Sequence, residues 1–124
     1  MVNEEILTLQ DFEKKIKEKK INVFDFYAVW CGPCKAMENI YELASDKLSG
    51  KCSFYKVNVD KCEDISKNQR INFVPTFAVF YNNTELGRMS GFLEEDKFLE
   101  FLNTNIERIE KSKEWLKHIF EFFK

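Results

Sequence analysis

Cys31, Cys34, Cys52 and Cys62 are the only cysteines in this 124-residue chain, and the first two lie three positions apart. Residues i and i+3 are neighbours on a helix face, so Cys31 and Cys34 can close a small disulfide ring with little backbone movement. The run Cys31-Gly32-Pro33-Cys34 follows an apolar stretch of strand length and leads into a helical pattern. That junction places the first thiol at a helix N-terminus, where unpaired N–H groups and the macrodipole favour a thiolate. One accessible thiolate to attack and one thiol to resolve the mixed disulfide are what thiol–disulfide exchange requires. Asp25 is the next chemical feature, a lone carboxylate in a strand that reads as buried on both faces, costly there without a task or a partner. The single histidine, His118, lies far along the chain, which leaves Ser-His-Asp and Cys-His catalysis without a base. Cys52 and Cys62 lack ligand-type spacing, so no zinc centre is expected.

The elements that must position these groups can be read from periodicity. Thr8 caps a helix with Leu9, Phe12 and Ile16 on one face and ends in the Lys17–Lys20 charge run. Ile21 to Val29 is almost continuously apolar, the mark of a strand buried on both faces. Met37, Ile40, Tyr41, Ala44 and Leu48 recur at steps of three and four, predicting a helix stopped by Gly50. A second buried strand spans Cys52 to Asp60, with Cys52 as a small core hydrophobe, and Lys61 to Arg70 is a short helical stretch. This alternation implies crossover connections and a parallel sheet core. Pro75 opens a strand from Thr76 to Tyr81, and the Asn82-Asn83 turn before Glu85 to Ser90 predicts a hairpin, adding an antiparallel edge. From Leu93 onward neither Gly nor Pro occurs, and a helical pattern runs to the end, with a bend expected near Asn103-Thr104-Asn105.

The segment from Asp25 to Lys35, Asp-Phe-Tyr-Ala-Val-Trp-Cys-Gly-Pro-Cys-Lys, resembles the active-site segment of the thioredoxin family. Lys56-Val57-Asn58-Val59-Asp60, Val74-Pro75-Thr76 and Gly91 follow in the order such a domain requires. The resemblance covers residues 1–106 and implies an α/β thioredoxin fold, a central mixed sheet flanked by helices. It implies that Cys31 is the nucleophile, Cys34 the resolving thiol and Asp25 the buried acid that exchanges a proton with it, with Lys56 near that acid. It further implies a cis bond at Pro75, substrate pairing by the backbone of Val74, and substrate contacts from Trp30, Gly32, Pro33, Thr76 and Gly91. Cys62 matches a cysteine of animal thioredoxins and is a candidate regulatory thiol. The implied activity is reduction of disulfides in protein partners, with re-reduction by a flavin-dependent thioredoxin reductase using NADPH and no bound cofactor or metal. Gly-Pro between the cysteines points to a reductant.

Residues 107–124 lie beyond that resemblance. Ile109, Trp115, Leu116, Ile119, Phe120, Phe122 and Phe123 form one face of an amphipathic helical extension, a face that would be covered by the protein's own domain, a protein partner or a second copy. A partner-dedicated oxidoreductase, or a non-catalytic adaptor recruited through this helix, are the alternative readings. Nineteen basic against 21 acidic residues give a net charge of −2, so no attraction to nucleic acid or to an anionic membrane is expected. Residues 107–124 carry Arg108 and four lysines against four glutamates, the same near-balance on a smaller scale. The first residues, Met-Val-Asn-Glu-Glu, lack the basic and apolar regions of a secretory signal, and a cytoplasmic location is the corresponding expectation. Thirteen phenylalanines can supply the core.

Overall fold

The structure is a computed structural model that describes residues 2 and 4–123. Five strands form one mixed sheet between two helical layers, in the order β1-β3-β2-β4-β5. They are β1 (Glu4–Glu5), β2 (Ile21–Tyr27), β3 (Cys52–Asn58), β4 (Thr76–Tyr81) and β5 (Thr84–Ser90). The helices are α1 (Leu9–Ile16), α2 (Gly32–Lys47), α3 (Glu63–Asn68) and α4 (Glu95–Phe122). β1, β3 and β2 pair in parallel, whereas β4 runs antiparallel to β2 and β5 antiparallel to β4. The expected parallel core with an antiparallel hairpin edge is thus present. Asn82 and Asn83 both take positive φ, the conformation a two-residue hairpin turn needs and asparagine tolerates.

Side chains alternate across a strand, and the pleat sorts the apolar residues into two cores. Ile21, Val23, Phe54, Phe77 and Val79 face α2 and α4, where Met37, Tyr41, Phe98 and Leu102 meet them. Phe24, Phe26, Tyr55, Val57 and Phe80 face α1 and α3 through Phe12 and Ile65. Aromatic rings dominate both cores. Phe12 and Phe24 lie 4.8 Å apart between centroids, as do Phe77 and Phe98, within the range in which such pairs add to area burial. Cys52 is buried in the first core, as expected of a small hydrophobe.

Two features differ from the expectation. β1 is absent from the sequence reading because Glu4 and Glu5 are exposed and pair through backbone alone, so no hydrophobic alternation betrays the strand. α4 does not bend at Asn103-Thr104-Asn105. The Thr104 hydroxyl donates to the Glu100 carbonyl at 2.8 Å and Asn105 Nδ2 to the Phe101 carbonyl at 2.9 Å, so these side chains bond back onto the helix and do not compete with it. Asn105 is buried against Gly87, where a Cβ would sit 2.6 Å from its Oδ1; only glycine allows β5 to approach α4 so closely.

The extension therefore continues α4 without a break. Burial on the helix ends at Ile106, and Ile109 packs at the edge of the first core. The last contacts with the sheet layer are the Lys51–Glu110 pair at 3.4 Å and Lys113, whose Nζ lies 5.3 Å from the Tyr81 ring. Beyond them Trp115, Leu116, Phe120, Phe122 and Phe123 are exposed. Among the described residues, the domain does not cover this face.

Candidate active site

β2 ends at Tyr27, and a turn closed by the Cys31 N–H on the Ala28 carbonyl at 3.3 Å carries the chain into α2. Cys31 is the N-cap of α2, and Gly32 and Pro33 are its first two residues. Proline suits this turn because its missing N–H has no intrahelical partner to lose. The Cys34 N–H points at Cys31 Sγ, 3.1 Å away, so an orphan helix donor is aimed at the sulfur that would carry negative charge. Cys31 and Cys34 are joined as a disulfide with Cα atoms 5.2 Å apart.

The loop before β4 closes over this pair. The Val74–Pro75 bond is cis, as the resemblance implied, and the Val74 carbonyl oxygen lies 3.6 Å from Cys31 Sγ. Gly91, at φ +92°, donates its N–H to the Pro75 carbonyl at 2.9 Å and so ties the start of the β5–α4 connection to the same loop. Thr76 differs from expectation: it is buried, and its hydroxyl donates to the Phe73 carbonyl at 2.6 Å and lies 2.7 Å from Ser90 Oγ. Its hydroxyl thereby braces the loop from the buried side. Cys31 is also less accessible than expected, 4% exposed, because Ala28, Tyr27, Val59 and Val74 pack around the pair. Gly32 and Pro33 are exposed at the rim.

Trp30 is 69% exposed, held by a 2.8 Å hydrogen bond from its indole N–H to Asp60. Val29, next to it, is exposed as well. Sequence reasoning missed Asp60's part in this, and also Phe73 and Phe92, both exposed aromatics. Their signal was positional: Phe73 precedes Val74 and Phe92 follows Gly91, the two loop residues already singled out. Val29, Trp30, Phe73 and Phe92 are thus exposed apolar side chains on the segments that flank the pair.

Asp25 is buried on the sheet face that packs against α2. Its Oδ1 has no hydrogen-bond partner. Burial pushes its pKa up to about 7, opposed by the Lys56 charge and aided by Glu38. Lys56 pairs with Asp25 in the β2–β3 register, yet its Nζ lies over the Tyr27 ring, 4.2 Å from the centroid. It therefore acts on the acid at a distance. Tyr27 in turn donates its hydroxyl to Glu5 of β1.

Cys62 does not join the site. It is the N-cap of α3, 2% exposed, with Sγ 3.6 Å from the carbonyls of Ile6 and Leu7, and burial raises its pKa. Unlike Cys31, it receives no helix N–H on its sulfur, so nothing at this N-cap favours a thiolate. Among the described residues no group of three or more His, Cys, Asp or Glu could hold a metal ion, and no helix is long and apolar enough to cross a membrane.

The family model described as Thioredoxin matches residues 3–104. The chain is 38% identical over 99 residues to the thioredoxin of Mycoplasma genitalium, covering 80% of this chain and 96% of that one. It is 40% identical over 88 residues to thioredoxin-1 of Drosophila yakuba, covering 69% and 82%. Among solved structures, the thioredoxin of Malassezia sympodialis superposes with a TM-score of 0.79 at 31% identity, covering 86% of this chain and 91% of that one.

Proposed function

The chain belongs to the thioredoxin family of thiol–disulfide oxidoreductases, and from that premise we propose that it works as a protein disulfide reductase. The supporting observation is the Cys31–Cys34 pair at the N-terminus of α2, with the Cys34 N–H on Cys31 Sγ. In the dithiol form, Cys31 thiolate attacks one sulfur of a substrate disulfide and releases the other as a thiolate, which takes up a proton. Cys34 then attacks Cys31 Sγ and breaks its bond to the substrate sulfur, which leaves as a thiolate and takes up a proton; the Cys34 proton passes to Asp25, which stays receptive near neutrality because its pKa lies at about 7. The products are the reduced substrate and the Cys31–Cys34 disulfide, so one dithiol is oxidised for each disulfide reduced.

Trp30, Gly32, Pro33 and Gly91 form the docking rim in this reading, and the cis Val74–Pro75 loop offers backbone to an extended substrate segment. Lys56 holds the pKa of Asp25 below where burial alone would put it. A thioredoxin reductase drawing on NADPH restores the dithiol, and a reducing compartment such as the cytosol suits this direction of transfer. Residues 1–106 suffice for the chemistry, with 107–124 as an appendage.

Insulin disulfide reduction coupled to thioredoxin reductase and NADPH tests this. The full chain is expected to turn over, Cys31→Ser is not, and Cys34→Ser should accumulate mixed disulfides through Cys31. If the wild-type chain shows no turnover, or Cys31→Ser retains it, the proposal fails.

A further inference from the structure

The exposed half of α4 carries its charges in an order that its net charge conceals. At 100° per residue, the apolar stripe from Phe122 to Phe120 spans about 160° of the circumference. Lys111 and Lys113 fall about 20° outside its two edges, Lys111 with its Nζ 4.0 Å from Glu107 and Lys113 with its Nζ 5.3 Å from the Tyr81 ring. Glu110, Glu114 and Glu121 fall within about 20° of the line opposite the stripe's centre. The polar side thus reads lysine, glutamate, lysine across the helix, with the cations at the border. Lys117 and His118 lie on the lysine flanks of the glutamates, and His118 Nε2 is 4.0 Å from Glu114.

We propose that this half of α4 lies on the surface of an anionic phospholipid bilayer, its aromatic stripe among the acyl chains and its border lysines at the phosphates. Lysines at the edge can extend to headgroups while their methylenes cover apolar surface. Glutamates on the far side stay in water, where they cost nothing. A second copy of the same helix fits less well, because in either orientation the border lysines of one copy would face those of the other. The domain adds to the same end. Lys19, Lys20 and Lys51 line a cleft with Lys113 where α4 leaves the sheet, although Lys20 also lies 3.8 Å from Glu18, and Lys51 3.4 Å from Glu110. This cleft adjoins Ile21 and Gly50, at the starts of β2 and β3, while Cys31 follows the end of β2. The dithiol would therefore face away from the bilayer.

Sedimentation of the full chain with sucrose-loaded vesicles tests this, using phosphatidylcholine alone and phosphatidylcholine with phosphatidylserine. Binding is expected to be at least tenfold stronger to the anionic vesicles and to weaken with salt. Leu116→Glu with Phe120→Glu should lower it at least tenfold, and Lys111→Glu with Lys113→Glu should remove most of the preference for the anionic lipid. Insulin reduction by both double variants should equal that of the parent, which confirms that the domain is intact. The proposal is overturned if the parent stays in the supernatant, if it binds both vesicle types equally, or if Leu116→Glu with Phe120→Glu pellets as the parent does. Sedimentation velocity would identify a competing occupant: a dimer that this double variant splits, with no vesicle binding, assigns the stripe to a second copy.

Discussion

Two helices in this molecule begin the same way and differ in what their first cysteine can do. α2 and α3 each follow a parallel strand and each has a cysteine at the N-cap, Cys31 and Cys62. At α2 the sulfur turns in toward its helix and receives the Cys34 N–H, and Asp25 lies on the sheet face packed against that helix. At α3 the sulfur turns away, makes no capping bond, and is covered by the chain around Ile6 and Leu7. Its neighbours in the core are apolar or aromatic, among them Phe26, Val57 and Ile65. A helix N-terminus favours a thiolate only if the sulfur points at the free donors and solvent or a partner can reach it. The position alone does not make a reactive cysteine.

The largest expected effect separates the two cysteines by turnover. Cys31→Ser should lower insulin reduction by about a thousandfold or more, since a hydroxyl is a far weaker nucleophile than a thiolate. Cys62→Ser should leave it within about twofold; a loss of tenfold would mean the second N-cap shares in the chemistry.

The next effect comes from the acid on the α2 side. The pKa of Asp25 is raised from 3.8 to about 7, so the folded state holds a proton that the unfolded state has released. Its contribution to stability is fully present below about pH 4, falls as pH rises toward 7, and is a net cost above that. Asp25→Asn should therefore flatten the pH dependence between about 4 and 7 and stabilise the protein near pH 8, by at most about 4 kcal/mol from a shift of about three units. Denaturant unfolding at pH 5 and pH 8 measures this; equal stability of parent and variant at pH 8 would remove the acid from the contrast.

A smaller effect distinguishes the thiols in the reduced protein. At pH 7 iodoacetamide should alkylate Cys31 at least about a hundredfold faster than Cys62 or Cys52, because burial raises the Cys62 thiol and pushes the Cys52 thiol up to about 12. Peptide mass spectrometry over time would read the order, and Cys62 labelled first would reverse the comparison. The smallest effect is in packing. Cys62→Ala removes a buried sulfur and should cost about 1 kcal/mol in unfolding free energy, with turnover unchanged.

Much of this contrast is legible in the sequence. The strand-to-helix placement of Cys31-Gly32-Pro33-Cys34 and the isolation of Asp25 in an apolar run follow from residue type and order. The hairpin at Asn82-Asn83 was equally plain. What the sequence could not convey was direction. Nothing in its own segment tells that Cys62 Sγ turns toward Ile6, because the covering residues lie more than fifty positions earlier. The same holds for Thr76, whose hydroxyl turns inward to Phe73 and Ser90. Asn103-Thr104-Asn105 reads as a bend in the helix because such residues compete with the backbone in isolation. Gly87 on another element supplies the room that keeps Asn105 buried in the helix.

The chain holds two tryptophans, and the fold has assigned them to separate places. Trp30 is fixed to Asp60 next to the dithiol, and Trp115 stands on the uncovered stripe of α4. Indole emission responds to a neighbouring disulfide in the first setting and to the polarity of its surroundings in the second. With either one replaced by phenylalanine, the protein becomes its own optical probe, of redox state through Trp30 or of contact at the far end through Trp115. No added label would be needed to ask whether the two ends act independently.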